Sequence, residues 1–179
     1  MNDKLPPHLG GHFGVTHIDR GALEWLISLG QRSVLDIGCG PGGQVKQARN
    51  LEMFATGIDG DPSCSPDLLH DFCEGPLSGS RYDAVWCVEF LEHIAIQYLD
   101  NVLETILKTN PNIIVASAAP PGFSGFHHVN CQSEEFWFRE FRKIGFYFDE
   151  ELTYQLRHFS TMKREFIPKR GWALIKEKL

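Results

Sequence analysis

The chain has 179 residues, of which 42% are hydrophobic and 22% are charged, and its 17 basic and 23 acidic side chains leave a net charge of -6. These proportions are ordinary for a globular protein with a single domain, here residues 1–179, and the negative charge argues against a nucleic acid as partner. The five cysteines show no C-x-x-C spacing and are odd in number, which argues against a secreted disulfide framework.

The chain contains no segment that predicts export or membrane insertion. No apolar run approaches the roughly 18 residues that a membrane-spanning helix needs. The N-terminus also lacks the apolar core of a signal peptide. We therefore expect a cytoplasmic protein that does not associate with membranes, and the sequence leaves its oligomeric state open.

The N-terminal region combines an irregular arm with a first helix. Residues 1–15 are rich in Pro, Gly and His and predict an arm without regular structure. The histidines of this region either lie on an ordinary surface or form part of a lid. Thr16 stands where a helix N-cap is expected, with Asp19 three residues later. Apolar residues at helical spacing from Ile18 to Leu29 predict the helix, and Gly30 is a plausible end for it.

Strands alternate with helices through the middle of the chain. Near-continuous apolar runs predict five strands, at residues 33–37, 54–59, 68–71, 82–88 and 112–118. Two helices are predicted between them, at residues 43–51 and 99–108. This alternation predicts an α/β fold with a parallel sheet and right-handed crossovers.

The C-terminal third has a different pattern. A helix capped by Ser133 is predicted over residues 134–144, and two late strands follow at residues 146–156 and 171–176. The basic cluster around residues 163–170 lies between these strands. It either attracts an acidic group of a ligand or, as we favour, forms a solvated hairpin loop.

A glycine-rich turn follows the first predicted strand. Gly38, Gly40 and Gly43 fit G-x-G-x-x-G, a turn that can bring backbone N–H groups close to a ligand. Asp36 lies two positions before the first glycine, and Asp59 ends the second strand about 20 residues later, where a ribose-binding carboxylate is expected. The Asp36 carboxylate would repel a dinucleotide's pyrophosphate but attract the sulfonium and amino groups of S-adenosylmethionine.

The D-x-G-x-G sequence with a second acid resembles the class I S-adenosylmethionine-dependent methyltransferases. The resemblance implies a Rossmann-like, doubly wound sheet of seven strands, mostly parallel, with a C-terminal antiparallel hairpin. It also implies S-adenosyl-L-methionine as cofactor. The cofactor-binding residues that it suggests are Asp36, Gly38, Cys39, Gly40, Asp59, Gly60, Asp71, Phe72 and Cys87.

Four of these residues have specific expected roles or alternatives. By the resemblance, Asp36 holds the methionine end of the cofactor and Asp59 its ribose hydroxyls. Asp71 occupies the position that contacts adenine, although an Asx turn that caps the following loop is an equal alternative. Cys87 ends the fourth strand and either faces the cofactor or is a small core residue.

A second group of chemically active residues follows the fourth strand. If the segment Glu89-Phe90-Leu91-Glu92-His93 is helical, two carboxylates and an imidazole share one face. Two close carboxylates need a shared proton or a cation between them, and these ligand types suit Mn²⁺, Fe²⁺, Zn²⁺ or Mg²⁺. The alternative is that Glu and His only hold the loop by hydrogen bonds.

The loop after the fifth strand supplies two more histidines, His127 and His128. The E-x-x-E-H pattern with a downstream His resembles metal-dependent 2′-O-methyltransferases of plant small RNAs, and E-x-x-E-H alone resembles the O-methyltransferases of ubiquinone biosynthesis. The H-H-V-N-C-Q loop resembles small phage and bacterial methyltransferases, some linked to carbohydrate modification. The implied metal ligands are Glu89, Glu92, His93 and His128.

These patterns predict an S-adenosylmethionine-dependent O-methyltransferase that acts on a small-molecule or glycan acceptor. His128 is the preferred general base, because an imidazole can take a hydroxyl proton near neutral pH, and His127 and Glu89 are the other catalytic candidates. The alternatives are an N- or carboxyl-methyltransferase and a non-catalytic module that binds the cofactor or a partner. A nicotinamide-dependent oxidoreductase is disfavoured by Asp36.

Overall fold

The computed structural model describes residues 6–9 and 11–177, and its centre is one sheet of seven strands. The strands are β1 Ser33–Ile37, β2 Phe54–Asp59, β3 Leu68–Leu69, β4 Ala84–Val88, β5 Ile113–Ser117, β6 Phe146–Phe148 and β7 Trp172–Lys176. Their order across the sheet is β3-β2-β1-β4-β5-β7-β6. Strands β1 to β5 pair in parallel, whereas β7 runs antiparallel to both β5 and β6. The predicted mostly parallel, seven-stranded architecture is therefore confirmed.

Six α-helices accompany the sheet. They are α1 Arg20–Ser28, α2 Gly43–Asn50, α3 Leu99–Thr109, α4 Glu134–Lys143, α5 Glu150–Phe159 and α6 Phe166–Arg170. Short 3₁₀ turns lie at Pro7–Leu9, Pro62–Cys64, Leu91–His93 and Ile96–Tyr98. None of the helices in the described part of the chain is long and apolar enough to cross a membrane.

The sheet is covered on both faces, because its strands point apolar side chains in both directions. Leu35 and Ile37 of β1 pack in one buried cluster with side chains of α3 and α4. Val34 of the same strand packs in a second cluster with α1, α2 and α5. Continuous burial of this kind explains why the central strands read as apolar runs rather than as alternating patterns.

The strand order reverses between β1 and β4. From β1 the chain first builds outward through β2 and β3, and then returns to place β4 on the other side of β1. The connections diverge at this point, so a crevice opens above the carboxyl ends of β1 and β4. The residues directly after these two strands are therefore placed to contact a ligand.

The first helix begins later than predicted. Its N-cap is Asp19, whose carboxylate accepts a hydrogen bond from the Ala22 N–H, and not Thr16. Thr16 instead accepts a hydrogen bond from the Gly43 N–H at the start of α2. Ile18 is 45% exposed and lies outside the buried face of the helix.

The late strand predicted over residues 146–156 is wrong beyond Phe148. Asp149 accepts a hydrogen bond from the Leu152 N–H at 2.8 Å and starts α5. Thr153 and Leu156 are the buried residues of that helix, and their spacing is helical. The three consecutive aromatic residues of β6 favour a strand, but the Asp149 cap ends it.

The basic segment is not the predicted hairpin loop. The antiparallel pairing of β6 and β7 agrees with the prediction, but α5 and α6 lie between the two strands. Arg170 ends α6 with a largely covered side chain that pairs with Glu89.

Three earlier strands are shorter than predicted, at Leu68–Leu69, Ala84–Val88 and Ile113–Ser117. Residues 1–5 and 10 of the predicted arm lie outside the described part.

Asp19→Ala tests a junction that links α1 to the α5–α6 connection. The buried carboxylate caps α1 and also accepts hydrogen bonds from the Thr161 N–H at 2.8 Å and from the Ser160 hydroxyl. Losing a cap and leaving a buried donor unpaired should together lower the free energy of unfolding by about 2–4 kcal/mol. Urea denaturation measures this change.

Asp149→Ala is the matched control, because that side chain caps only its own helix, through Leu152. Its expected cost is about 1 kcal/mol. Equal losses for the two variants would contradict the role of Asp19 as a junction.

Candidate active site

A cavity with a volume of about 760 Å³ opens at the carboxyl edge of the sheet. It is lined by the ends of β1, β2 and β4, by the loops after β4 and β5, by the α5–α6 region and by residues of the N-terminal arm. Its volume lies within the range of roughly 300–1,000 Å³ that small-molecule sites occupy. The cavity therefore coincides with the crevice that the strand order creates.

The glycine turn after β1 shapes the floor of this cavity. Gly38 has φ +77°, and a Cβ there would lie 2.3 Å from the Phe90 ring. The Gly38 and Cys39 N–H groups both donate to the Ile58 carbonyl of β2, at 2.9 and 3.0 Å. The Gly40 N–H donates to Asp59 at 2.8 Å. These N–H groups are satisfied within the protein, so the turn supplies space for a ligand rather than free donors.

Two carboxylates face each other across the turn. Asp36 is 4% exposed, and burial, together with the nearby charge of Asp59, raises its pKa to about 8. Asp59 is anchored by hydrogen bonds from the Gly40 N–H at 2.8 Å and from the Asp61 N–H at 2.9 Å. A positively charged ligand group would relieve the repulsion that keeps the Asp36 proton bound.

Two further residues of the predicted cofactor site, Asp71 and Phe72, contact different parts of the structure. Asp71 lines the cavity and accepts hydrogen bonds from His8 and from the Cys73 N–H, both at 2.8 Å, so the Asx turn is present. Phe72 is buried and meets the Phe90 ring edge-on at 5.7 Å.

Three further predicted cofactor residues complete this set. Gly60 and Cys39 line the cavity. Cys87 is fully buried in the core and is not part of the cavity lining, and burial raises the pKa of its thiol.

The E-x-x-E-H segment is not the regular helix that the sequence suggested. Glu89 has φ +53°, and only Leu91–His93 forms a 3₁₀ turn. The Glu89 carboxylate accepts hydrogen bonds from the Ser117 hydroxyl at 2.8 Å and from Arg170 at 3.2 Å. Burial raises the pKa of Glu89 despite these two donors. Glu89 lines the cavity but is already bonded to partners from β5 and α6.

Glu92 is fully buried and only half satisfied. Its Oε1 atom accepts a hydrogen bond from the Ala119 N–H at 3.0 Å, while its Oε2 atom has no partner among residues 6–9 and 11–177. Burial and the neighbouring Glu89 charge raise the pKa of Glu92 well above its usual range. Its backbone carbonyl also accepts the N–H groups of Val129 and Asn130, both at 3.0 Å, and so holds the loop after β5 in place.

His93 and His128 complete a cluster with Glu92. The two rings are 5.0 Å apart, and one potential ligand atom from each of the three residues lies within 4.8 Å of the others. Burial and the adjacent His128 lower the pKa of His93 to about 4, so its imidazole is neutral near pH 7. Glu89, the fourth predicted metal ligand, is outside this group.

The two histidines of the loop differ in position. His128 lines the cavity, and its Nδ1 atom lies 3.2 Å from the Phe123 carbonyl. Because a carbonyl can only accept, this contact places the hydrogen on Nδ1 and leaves Nε2 with a free lone pair. His127 adopts φ +50° and lies outside the cavity lining, with its ring 6.1 Å from that of His8.

Sequence reasoning missed two contributions to this site. Arg170 pairs with Glu89 and lies over the Phe123 ring at 5.1 Å, although it comes 81 residues later in the chain than Glu89. The arm residues His8 and His12 also line the cavity, so they do not lie on an ordinary surface. The histidine content of the arm was the only available signal.

No protein-family model and no curated protein sequence matches the chain. Solved structures do match, and all those compared are methyltransferases. Magnesium protoporphyrin IX methyltransferase from Synechocystis PCC 6803, with bound SAH, superposes with a TM-score of 0.63 at 15% identity, over 87% of this chain and 80% of that one. The sugar N-methyltransferase KedS8 from Streptoalloteichus gives 0.63 at 15% identity, over 88% and 87%.

The chain has the class I methyltransferase fold. The methyltransferase domain of the bacterial protein CtHen1 is also similar, with a TM-score of 0.58 at 17% identity, over 87% of this chain and 95% of that domain. These neighbours share the overall fold of this chain. Their differing acceptors show that the methyltransferase fold alone does not determine what is methylated.

Asp36→Asn should change how stability depends on pH. The unfolded state loses this proton near pH 4 and the folded state near pH 8, so the folded wild type binds the extra proton between these values and loses stability as pH rises. The variant lacks this loss. Its stability relative to wild type should therefore rise by up to about 1.4 kcal/mol per pH unit between pH 5 and 7.

Urea denaturation at several pH values measures this difference. Asp100→Asn, at an exposed position in the first turn of α3, is the control and should show a difference that does not change with pH. A difference in the free energy of unfolding between wild type and Asp36→Asn that stays constant over the same pH range would contradict the raised pKa of Asp36.

Proposed function

We propose that this protein is an S-adenosylmethionine-dependent methyltransferase that methylates a hydroxyl of a small acceptor such as a sugar or the end of a glycan. The observation that carries the proposal is the pair of carboxylates, Asp36 and Asp59, at the crevice of a methyltransferase fold. Two of the neighbours support parts of it: one holds SAH, and another is named a sugar N-methyltransferase, which favours a sugar as acceptor but not a hydroxyl as the methylated group.

The carboxylate pair suits a cationic nucleoside better than a dinucleotide. S-adenosylmethionine carries a sulfonium and an α-amino group, which a buried Asp36 would attract and which would draw off its proton. A pyrophosphate would instead meet two acids in a site of low dielectric. The sulfonium makes the methyl group electrophilic, and the protein has to position the acceptor and remove its proton.

Proton removal falls to His128 in this proposal. Its Nε2 lone pair is free and the residue lines the cavity, whereas Glu89 is already bonded to Ser117 and Arg170. A neutral imidazole can take the proton of an acceptor hydroxyl near pH 7. Phe90, which is half-buried, and Ile94, which is buried, add two apolar side chains to the cavity lining beside His93.

A second version of this function includes a divalent cation. The unpaired Glu92 Oε2 atom favours it, because Glu92, His93 and His128 together offer one oxygen and two nitrogen ligands within 4.8 Å. A cation there would lower the pKa of the acceptor hydroxyl and orient it. His128 would then be a ligand, and a water molecule would take the proton, because His127 lies outside the cavity lining. Glu89 fits this set less well, because its oxygens are already bonded.

Other acceptors and a non-catalytic role remain as alternatives to O-methylation. Methyl transfer to an amine or a carboxylate would use the same cofactor half of the cavity. A binding module would hold the cofactor without turnover. A methyl-transfer screen over sugars, nucleosides, catechols, amines and small acids separates these functions.

Calorimetry with S-adenosylmethionine and with NAD tests the cofactor. We expect micromolar binding of S-adenosylmethionine and no binding of NAD. Near pH 7, binding to the wild type should release a proton, because Asp36 ionises beside the ligand. Asp36→Asn should bind roughly tenfold or more weakly and should release no proton. Binding of NAD without any response to S-adenosylmethionine would refute the proposal.

The role of His128 is tested by a pair of adjacent variants and a chelator. His128→Asn should lower kcat by about 10²–10⁴-fold with unchanged cofactor affinity, whereas His127→Asn, outside the cavity, should stay near wild type. Wild-type activity should resist EDTA if His128 is the base. Stoichiometric metal in the wild type that is absent from Glu92→Ala, with activity lost to EDTA, would favour the cation version instead.

A further inference from the structure

Residues 8–9 and 11–13 of the N-terminal arm line the cavity, and this part of the arm is attached at two points. The His8 Nε2 atom donates a hydrogen bond to Asp71 at 2.8 Å, and the His12 Nε2 atom donates to Asp61 at 2.9 Å. Asp61 and Asp71 each follow the carboxyl end of an outer strand, β2 or β3. The two histidines therefore fasten one segment of chain to two positions along the edge of the crevice.

The arm fits against positions that have no side chain. A Cβ on Gly60 would lie 2.3 Å from Leu9, and one on Gly40 would lie 3.0 Å from His12. Gly11 of the arm lies against His93, where a Cβ would come within 2.9 Å of the ring. The arm thus contacts the cofactor half of the cavity through two glycines and the acceptor half through His93.

The hydrogen bonds of His12 define its protonation state. The Gly14 N–H donates to His12 Nδ1 at 2.8 Å, so the hydrogen of the neutral ring is on Nε2 and points to Asp61. Cys64 lies 3.1 Å from the same Nε2 atom, and the three residues have the composition of a metal site. With Nε2 protonated, however, the ring donates to a carboxylate and has no lone pair there for a cation.

The attachment at Asp61 is connected to the predicted ribose carboxylate. Asp61 is 2% exposed, its Oδ1 atom accepts from the Ser63 N–H at 2.8 Å, and its own N–H donates to Asp59 at 2.9 Å. A shift of the arm that moves Asp61 therefore moves a hydrogen bond of Asp59. The arm also meets the loop after β5, where the Phe13 and Phe126 rings are in edge contact at 5.2 Å.

We infer that His8 and His12 are positioning residues that hold the arm closed over the cofactor crevice and thereby slow the release of the bound nucleoside. The inference rests on the proposed function, because it takes the crevice to be the cofactor site. The arm contacts Gly60, Asp61 and Asp71, which follow β2 and β3, so opening both histidine–aspartate contacts uncovers this side of the crevice. Cofactor exchange and arm opening are then one event.

The experiment measures the dissociation rate of S-adenosylhomocysteine by surface plasmon resonance, for wild type and for variants at both positions. His8→Leu and His12→Leu remove the donor and keep bulk, whereas His8→Gln and His12→Gln keep an N–H donor at a similar reach. Each Leu variant should dissociate roughly tenfold faster, and the double Leu variant faster still, because each loses a hydrogen bond to a charged acceptor. The Gln variants should recover most of the wild-type rate.

Hydrogen exchange of residues 11–17 in the ligand-free protein gives a second readout. It should be faster in the Leu variants and close to wild type in the Gln variants. His158→Leu, on the exposed side of α5 beside Tyr154, is the control and should change neither measurement. If the double variant does not fold, the single Leu and Gln variants make the same comparison.

The outcomes separate this inference from the proposed function. A wild type that does not bind S-adenosylhomocysteine refutes the proposed function and the inference that rests on it. A wild type that binds, with Leu variants that dissociate at the wild-type rate, leaves the proposed function intact and overturns the inference. Faster arm exchange without faster dissociation also overturns it, because the arm would then open without controlling release.

Discussion

The burial of Asp36 beside Asp59 is the constraint on which the rest of the site depends. A protein gains nothing in stability from two carboxylates in one crevice, since burial raises the pKa of Asp36 to about 8 and that cost grows as pH rises. Asp59 stays in place because two backbone N–H groups hold it. Such a site is destabilising when empty and becomes favourable with a cation between the acids, which is the charge pattern of a sulfonium nucleoside.

The same crevice is completed by segments distant in sequence. The arm attaches through His8 and His12, and the loop after β5 is held by the backbone of Glu92. Arg170 reaches Glu89 from the end of α6. Each of these contacts joins two segments that are far apart in the chain by one or two hydrogen bonds. The walls of the cavity are therefore less firmly fixed than its floor, which suits a site that has to admit and release two ligands.

The sequence predicted the sheet well because burial on both faces leaves a strong local signal. The strands at residues 33–37 and 54–59 have their predicted bounds, and Ser133 caps α4 as expected. The predictions failed where a single hydrogen bond decides between alternatives. Asp19 rather than Thr16 caps α1, and Asp149 turns a predicted strand into α5. The Arg170–Glu89 pair leaves no local pattern, because its members are 81 residues apart.

The charges of the acceptor half argue for an uncharged acceptor. Glu89 is paired with Arg170, burial keeps the pKa of Glu92 well above its usual range, and the pKa of His93 is lowered to about 4. Without a bound cation, these four groups together carry little net charge. A neutral hydroxyl compound beside these groups would leave no charge uncompensated, whereas a free carboxylate or phosphate would compete with Glu89 for Arg170. In the proposed reaction, the positive charge is then carried by the cofactor, whose sulfonium and amino groups would lie near Asp36.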